Sequence, residues 1–396
     1  MSTPVRAPWP PTVDDAASWP VGAARDVRRV GLATGRVLLV GLLVLLMAAS
    51  GLVVLGSETS ATGTSGFLIG VSLAVLPVPV VIAAFRWVDR YEPEPRSVLA
   101  FAFFWGATVA ALIAAVINTA SAMAVARTSG AEVGLATTAV GVAPFVEEAA
   151  KGAAVLAVFL FRRREFDGVV DGIVYAGLVG AGFAFSENIL YLGREYVEYG
   201  QQGLTELFIL RCIMGPFAHP LFTAFTGIGL GLAVAVMRTA WSRVLVALGG
   251  FLLAALLHGI WNLSAATGHL IGAYVLFQIP LFLCFVALIV GLRYREGRLI
   301  RTYLSQYADA GWLSHQEVAM LSSVPARRQA RVWANQQGGR AAVAAMRGFQ
   351  DGASDLALLR ARMVRGSAER DAAARERRLL ESIVAHRRAF VGHLAY

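Results

Sequence analysis

The chain has 396 residues, of which 57% are hydrophobic and only 15% charged, with a net charge of +9 from 35 basic and 26 acidic side chains. Soluble domains carry about 25% charged residues, so the composition excludes an ordinary water-soluble enzyme. The two cysteines, Cys212 and Cys284, both lie in apolar runs, which excludes a disulfide framework or a cysteine metal site.

In chain order, residues 1–36 contain Pro4, Pro8, Pro10, Pro11 and Pro20 and predict a largely disordered segment. Eight runs then follow that are long enough to cross a bilayer as helices, near 37–56, 66–85, 98–126, 136–161, 168–192, 204–237, 244–266 and 270–292. The first is too long for a signal-peptide core and reads as an uncleaved anchor. Arginines alternate between loops. Arg25, Arg28, Arg29 and Arg36 precede the first run, Arg86, Arg90 and Arg96 follow the second, and Arg162, Arg163 and Arg164 follow the fourth. Arg238 and Arg243 follow the sixth and Arg293, Arg295 and Arg298 the eighth, while the other loops are poor in basic residues. The positive-inside rule then predicts both termini in the cytoplasm. The expected fold is an all-α polytopic membrane protein: a membrane domain over 37–297 and a helical cytoplasmic tail over 298–396.

That tail holds 16 arginines and 8 acidic residues, so nearly all the net charge resides there. Ser314 with Glu317 predicts a capping box. Gly338-Gly339, Gly352 and Gly366 punctuate its helical stretches. The tail reads as a solvated arginine-rich helical module near the inner leaflet. Anionic lipid heads are a natural contact for it, and no nucleic-acid partner is expected.

Ionisable side chains within a span are costly, so each is a functional candidate. The fourth run carries Glu147, Glu148 and Lys151, and Lys151 is the only lysine in the chain. The fifth carries Glu187 and Asn188, the sixth Arg211 and His219, the seventh His258 and Asn262. At about 1.5 Å per residue, Glu148, Glu187, His219 and His258 stand roughly 20 to 28 Å above the inner ends of their helices. Four polar groups from four helices thus share one level in the outer half of the bilayer. Glu147 and Lys151 are four residues apart and predict an ion pair on one face, with Glu148 turned about 100° away. His258 and Asn262 also share a face. Pro144, Gly215-Pro216 and Pro220 interrupt the helices nearby and predict a wet pocket. Arg211 reads as snorkelling outward, Asp167 and Asp171 as helix-start residues, and Phe183 and Trp261 as packing. His269, His315, His386 and His393 lie in loops or the tail and carry no signal.

Glutamates, histidines and an amide can activate water and stabilise an oxyanion, or hold a divalent metal such as zinc. The sequence leaves both open. No H-E-x-x-H is present, Gly63-Thr64-Ser65-Gly66 has no histidine arranged beside it, and no aspartate lies at mid-membrane. A proton-coupled transporter using the same groups is the alternative reading, disfavoured because the polar cluster is confined to runs four to seven.

The motif set resembles the PrsW family of intramembrane proteases, related in pattern to the prenyl-protein (CAAX) endopeptidases. The matching pieces are Glu147-Glu148-Ala149-Ala150-Lys151, Phe183 through Glu187-Asn188, His219 in AHPLFTAFTG, His258-Gly259-Ile260-Trp261-Asn262, and the string DRYEPEPR from Asp89 to Arg96. The resemblance covers about residues 66–292. It implies cleavage of a single-span membrane protein of the anti-sigma-factor type in a bacterial plasma membrane. It further implies water activation by Glu148 or Glu147 with His219 or Glu187, and an oxyanion site at His258 and Asn262. Lys151 and Asn188 support these groups. A metal, if used, falls to Glu148, Glu187, His219 and His258. Glu187 departs from the CAAX pattern, which has a histidine there.

Overall fold

The computed structural model describes residues 27–91, 93–162, 166, 168–366, 368 and 371–391. Most of the segment predicted to be disordered, residues 1–26, lies outside the described residues, as do Arg163, Arg164, Asp167 and His393. The chain divides into two units, residues 1–46 and 47–396. In the first, residues 27–46 are helical, and Val37, Leu38, Val40, Leu42 and Leu45 are exposed. In water such a surface would be untenable, whereas it suits hydrocarbon.

All regular structure among the described residues is helical. Five helical stretches, 37–88, 96–129, 169–235, 240–266 and 270–309, are long and apolar enough to cross a membrane. Helix α6 (Ala143–Phe161) is apolar too, apart from Glu147, Glu148 and Lys151.

The second unit is organised around α7 (Val169–Phe208), whose residues from Asp171 to Phe183 are all buried. Helix α1 (Val27–Ala74) leaves helical geometry at Gly63, where φ is 66°, a value that favours glycine. The chain reverses there. Gly51 lies against Thr108, and then Gly66 and Gly70 descend beside Gly193 and Ile189, while Phe85 of α2 (Val78–Val88) covers Gly177. The segment after Gly63 therefore runs antiparallel to α7. Helices α3 (Arg96–Trp105) and α4 (Ala111–Ser129) form one rod through a π-helical turn at Gly106–Ala110. Short α5 (Ala131–Thr137) and a second π-turn, Thr138–Val142, lead into α6.

A second reversal falls inside α7 at Gly200, φ 65°. It brings Leu204 back onto Leu192, and the π-turn Ile209–Met214 back to the level of Glu187. Both expected outer loops are thus mostly helical: 57–65 keeps its helix to Thr62, and the stretch after 192 keeps its helix to Tyr199. Too few residues separate the spans for an irregular loop, so a single left-handed glycine makes each turn. Helix α8 (Ala218–Ala235) packs closely on α7 because Gly172 and Gly227 meet backbone to backbone, leaving no room for a methyl on either. Helix α9 (Ala240–Ala266) flanks α8.

After α10 (Leu270–Ala273) and a π-turn at Tyr274–Gln278, α11 (Ile279–Asp309) continues without a break through Arg298. The expected boundary at 298 is therefore not a break in the backbone. Ser314 and Glu317 form the expected capping box before α12 (His315–Leu321). Helix α13 (Val324–Val364) reverses at Gly338-Gly339, so that Arg331 pairs with Gln350 and Arg327 with Ser354 across an antiparallel pair. Helix α14 (Ala372–Val391) closes the tail. Tyr91, from the loop after α2, is part of the tail's own apolar core with Ile300, Leu304, Phe349 and Leu356.

A candidate catalytic centre among helices α6 to α9

Helices α6, α7, α8 and α9 bring Glu147, Glu148, Lys151, Glu187, His219 and His258 into one cluster. Glu148, Lys151 and His258 are 0–1% exposed, in a region where water cannot screen them. Burial on this scale is tolerable only because nearly every polar atom is partnered.

Lys151 Nζ donates to Glu148 Oε1 at 2.7 Å, lies 3.6 Å from Glu147 Oε2 and 3.1 Å from His219 Nδ1, and sits 4.1 Å over the Phe183 ring. Helical spacing pairs Lys151 with Glu147 and turns Glu148 elsewhere, whereas in the structure the closer partner is Glu148. A residue three positions back on a helix is as near as one four back, and the flexible lysine stem reaches both. Phe183, expected to serve packing alone, also faces this ammonium and the His219 ring at 5.3 Å.

Each histidine is braced by a carboxylate through one nitrogen. His258 Nδ1 is 3.1 Å from Glu148 Oε1, and His219 Nε2 is 2.8 Å from Glu187 Oε2. Bracing of this kind fixes the ring orientation; it leaves Nε2 of His258 open, whereas Nδ1 of His219 faces the Lys151 ammonium at 3.1 Å. Glu148 is fully engaged, since its Oε2 accepts from Thr223 Oγ1 at 2.9 Å. Glu187 accepts from Arg211 Nη2 at 2.8 Å, and Arg211 Nε donates to Asn188 Oδ1 at 2.7 Å. Arg211 therefore does not snorkel outward. The reversal at Gly200 returns it to the cluster, a consequence of tertiary structure that no helical spacing predicts.

Glu147 differs from its neighbour. Its Oε1 accepts from Asn118 Nδ2 at 3.2 Å, while its buried Oε2 has no hydrogen-bond partner. That oxygen lies 3.6 Å from His258 Nε2. With His258 Nδ1 donating to Glu148, the atoms facing each other there are two lone pairs, an arrangement that suits a shared proton or a cation. Glu147, His219 and His258 offer donor atoms within 4.8 Å of one another. Two imidazoles and a carboxylate are an ordinary zinc set, so these residues fit a divalent ion. The sequence-based set named Glu148 and Glu187 with the two histidines. In the structure those two carboxylates hold the histidines from outside, and Glu147 takes the place facing inward.

The remaining expected residues stand at the periphery. Asn262 Nδ2 donates to Ala139 O at 2.9 Å, tying α9 to the π-turn before α6. Asn188 braces Arg211 and lies 3.8 Å from Cys212 Sγ. A cavity of about 370 Å³ reaches the cluster, lined by Ala181, Asn188, Tyr191, Arg211, His219 and Asn262 among others, with Trp261 also in its wall. Thr223 and Asn118 escaped the sequence reading. Thr223 lies four residues after His219 on the same face, and Asn118 is a lone amide in the apolar run 111–126; both signals were available.

Residues 94–289 match the model of a family described as the PrsW family of intramembrane metalloproteases. The protease PrsW of Geobacillus kaustophilus is 30% identical over 210 residues, which cover 52% of this chain and 85% of that protein. The Oceanobacillus iheyensis protein of the same name is 39% identical over 103 residues, covering 26% and 43%. That of Bacillus subtilis is 27% identical over 163 residues, covering 41% and 68%. No solved structure gives a significant match.

Proposed function

This chain belongs to the PrsW family and is an intramembrane protease, and on that premise we propose that it cuts single-span membrane proteins at the Glu147 centre. The observation that carries this reading is the buried Glu147 Oε2, which has no hydrogen-bond partner and faces His258 Nε2 at 3.6 Å. Proteolysis, rather than transport, follows from the family.

In this reading a substrate segment unwinds into the cavity beside His219 and Asn262. Glu147 Oε2 accepts a proton from the attacking water, whose oxygen adds to the scissile carbonyl carbon. The proton passes through His258 Nε2 to the leaving amine nitrogen as the carbon–nitrogen bond breaks. Asn262 keeps one N–H beyond its bond to Ala139 for the carbonyl oxygen as that atom gains charge. This departs from the role that the resemblance gives His258, because its Nδ1 is tied to Glu148. Glu148 and Glu187 orient the two histidines, and Lys151 offsets the carboxylate charge. A divalent ion such as zinc would be held by Glu147, His219 and His258, with Glu147 then replaced as the group that activates the water and His258 as the proton carrier. When bound, the ion supplies a water whose pKa falls to about 7.

The same reading places eight crossings with both termini in the cytoplasm of a bacterial plasma membrane, and an anti-sigma-factor-type substrate. The test is cleavage of a tagged single-span protein in proteoliposomes, with the products identified by mass spectrometry. A cut within or next to the spanning segment, absent in His219→Ala and His258→Ala, supports it. Undiminished cleavage in both variants overturns it.

A further inference from the structure

The loop Asp89–Arg96 buries two of its carboxylates. Asp89 is buried and its Oδ2 accepts from the Glu94 backbone N–H at 2.8 Å, while the buried Glu94 accepts from the Tyr175 hydroxyl on α7. Burial lifts the Asp89 carboxyl to about 7. Arg90, between them, is exposed. Among the described residues of the loop, two carboxylates thus turn inward while Arg90 and Arg96 are exposed.

The tail brings further arginines to the same place. Arg327, 1% exposed, donates to Tyr91 O at 3.0 Å, Leu321 O at 2.7 Å and Ser354 Oγ at 2.5 Å. Its hydrogen-bonding partners are neutral, so it clamps α13 to the loop without cancelling charge. Arg328 follows it and is exposed. Arg331, one turn on, donates to Gln350 Oε1 at 2.7 Å, and exposed Arg347 lies one turn before Gln350 on the antiparallel strand of the helical pair. Burial first, and then the charges of Arg347, Arg90 and Arg328, push the Arg331 pKa down, against the opposing carboxylate of Asp351. Guanidiniums from three segments therefore gather around one carboxylate, Asp351, and the positive charge left over calls for a further anion.

The position says which anion. Arg90 lies two residues past Val88, the end of an apolar stretch able to span the membrane. Beside it, Arg293 stacks 4.0 Å over the exposed Trp87 and donates to Trp87 O at 2.7 Å. Tryptophan and arginine pairs of this kind mark the headgroup level. Guanidinium forks match phosphate oxygens in pairs.

We propose that Arg90, Arg328, Arg331 and Arg347 form a binding site for a phosphate-bearing anion, the headgroup of an anionic phospholipid in the adjoining leaflet. The proposal is independent of the catalytic reading. Bound there, the phosphate bridges the loop after α2 to both arms of α13 and seats the tail on the membrane surface.

The test uses the full chain in neutral detergent, titrated with phosphatidylglycerol or phosphatidylcholine and followed by native mass spectrometry. Wild type should retain phosphatidylglycerol preferentially. The triple variant Arg90→Gln/Arg328→Gln/Arg347→Gln should lose on the order of fivefold in affinity per guanidinium removed. The charge-matched triple Arg365→Gln/Arg375→Gln/Arg378→Gln, at the far end of α13 and on α14, should bind as wild type. Inorganic phosphate that displaces the lipid from wild type would assign the site to a soluble phosphate instead of a headgroup, with the same four arginines. Equal binding by wild type and the first triple, or equal loss in both triples, would overturn the proposal.

Discussion

Lys151 Nζ lies 2.7 Å from Glu148 Oε1, both side chains fully buried, and the same ammonium stands 3.6 Å from Glu147 Oε2. One cation therefore serves two carboxylates in different ways: it saturates Glu148, together with Thr223 and His258, and leaves Glu147 with a bare oxygen. In the proposed mechanism this asymmetry makes Glu148 the structural glutamate and Glu147 the reactive one.

Glu148→Gln removes the negative charge nearest Lys151 in a buried ion pair and leaves the ammonium only the more distant Glu147 at 3.6 Å. Breaking such a pair costs about 3–5 kcal/mol. Thermal unfolding in detergent should show a clear loss of stability as well as lost proteolysis. A variant as stable as wild type would contradict the structural role.

Lys151→Arg keeps the charge but must fit a planar guanidinium between Glu148, His219 and the Phe183 ring, at a site with no exposed surface. Overpacking of this kind costs about 1–3 kcal/mol. Proteolysis should fall by at least about tenfold, because a small misplacement of catalytic groups is felt strongly in rate. Full activity would return the single lysine to coincidence.

How much of this was legible in the sequence depends on the kind of geometry involved. Shared depth was argued from helix rise alone for Glu148, Glu187, His219 and His258, and in the structure these four and Glu147 lie in one cluster. The division of labour between Glu147 and Glu148 was not legible, because it rests on Thr223, Asn118 and a lysine rotamer. Arg211 was misread because its contact with Glu187 depends on the reversal at Gly200, which a run-by-run reading treats as a featureless loop. The tail's capping box and its Gly338-Gly339 reversal were readable, being local. Its anchorage through Arg327 to Tyr91 O was not, since 236 residues separate the partners.

Arg211→Gln leaves Glu187 with one partner and loosens the His219 ring. Loss of an outer brace typically costs about 10–100-fold in activity or metal affinity. Proteolysis should drop within that range while the fold persists, and Arg211→Lys should recover part of it. Wild-type rates in Arg211→Gln would remove the residue from the site.

Purified protein should carry a divalent metal near one equivalent, and His219→Ala or His258→Ala should abolish its retention. The readout is elemental analysis, independent of activity. Retention unchanged in both variants would place the ion elsewhere.

The most direct test of the account is the initial rate at which Glu147→Gln cleaves a membrane-anchored substrate in proteoliposomes, alongside its melting temperature. The substitution keeps the bond with Asn118 within reach and removes the bare anionic oxygen. Proteolysis should fall on the order of a hundred- to ten-thousandfold with the melting temperature near that of wild type. Cleavage at the wild-type rate in a folded Glu147→Gln protein would contradict the central claim.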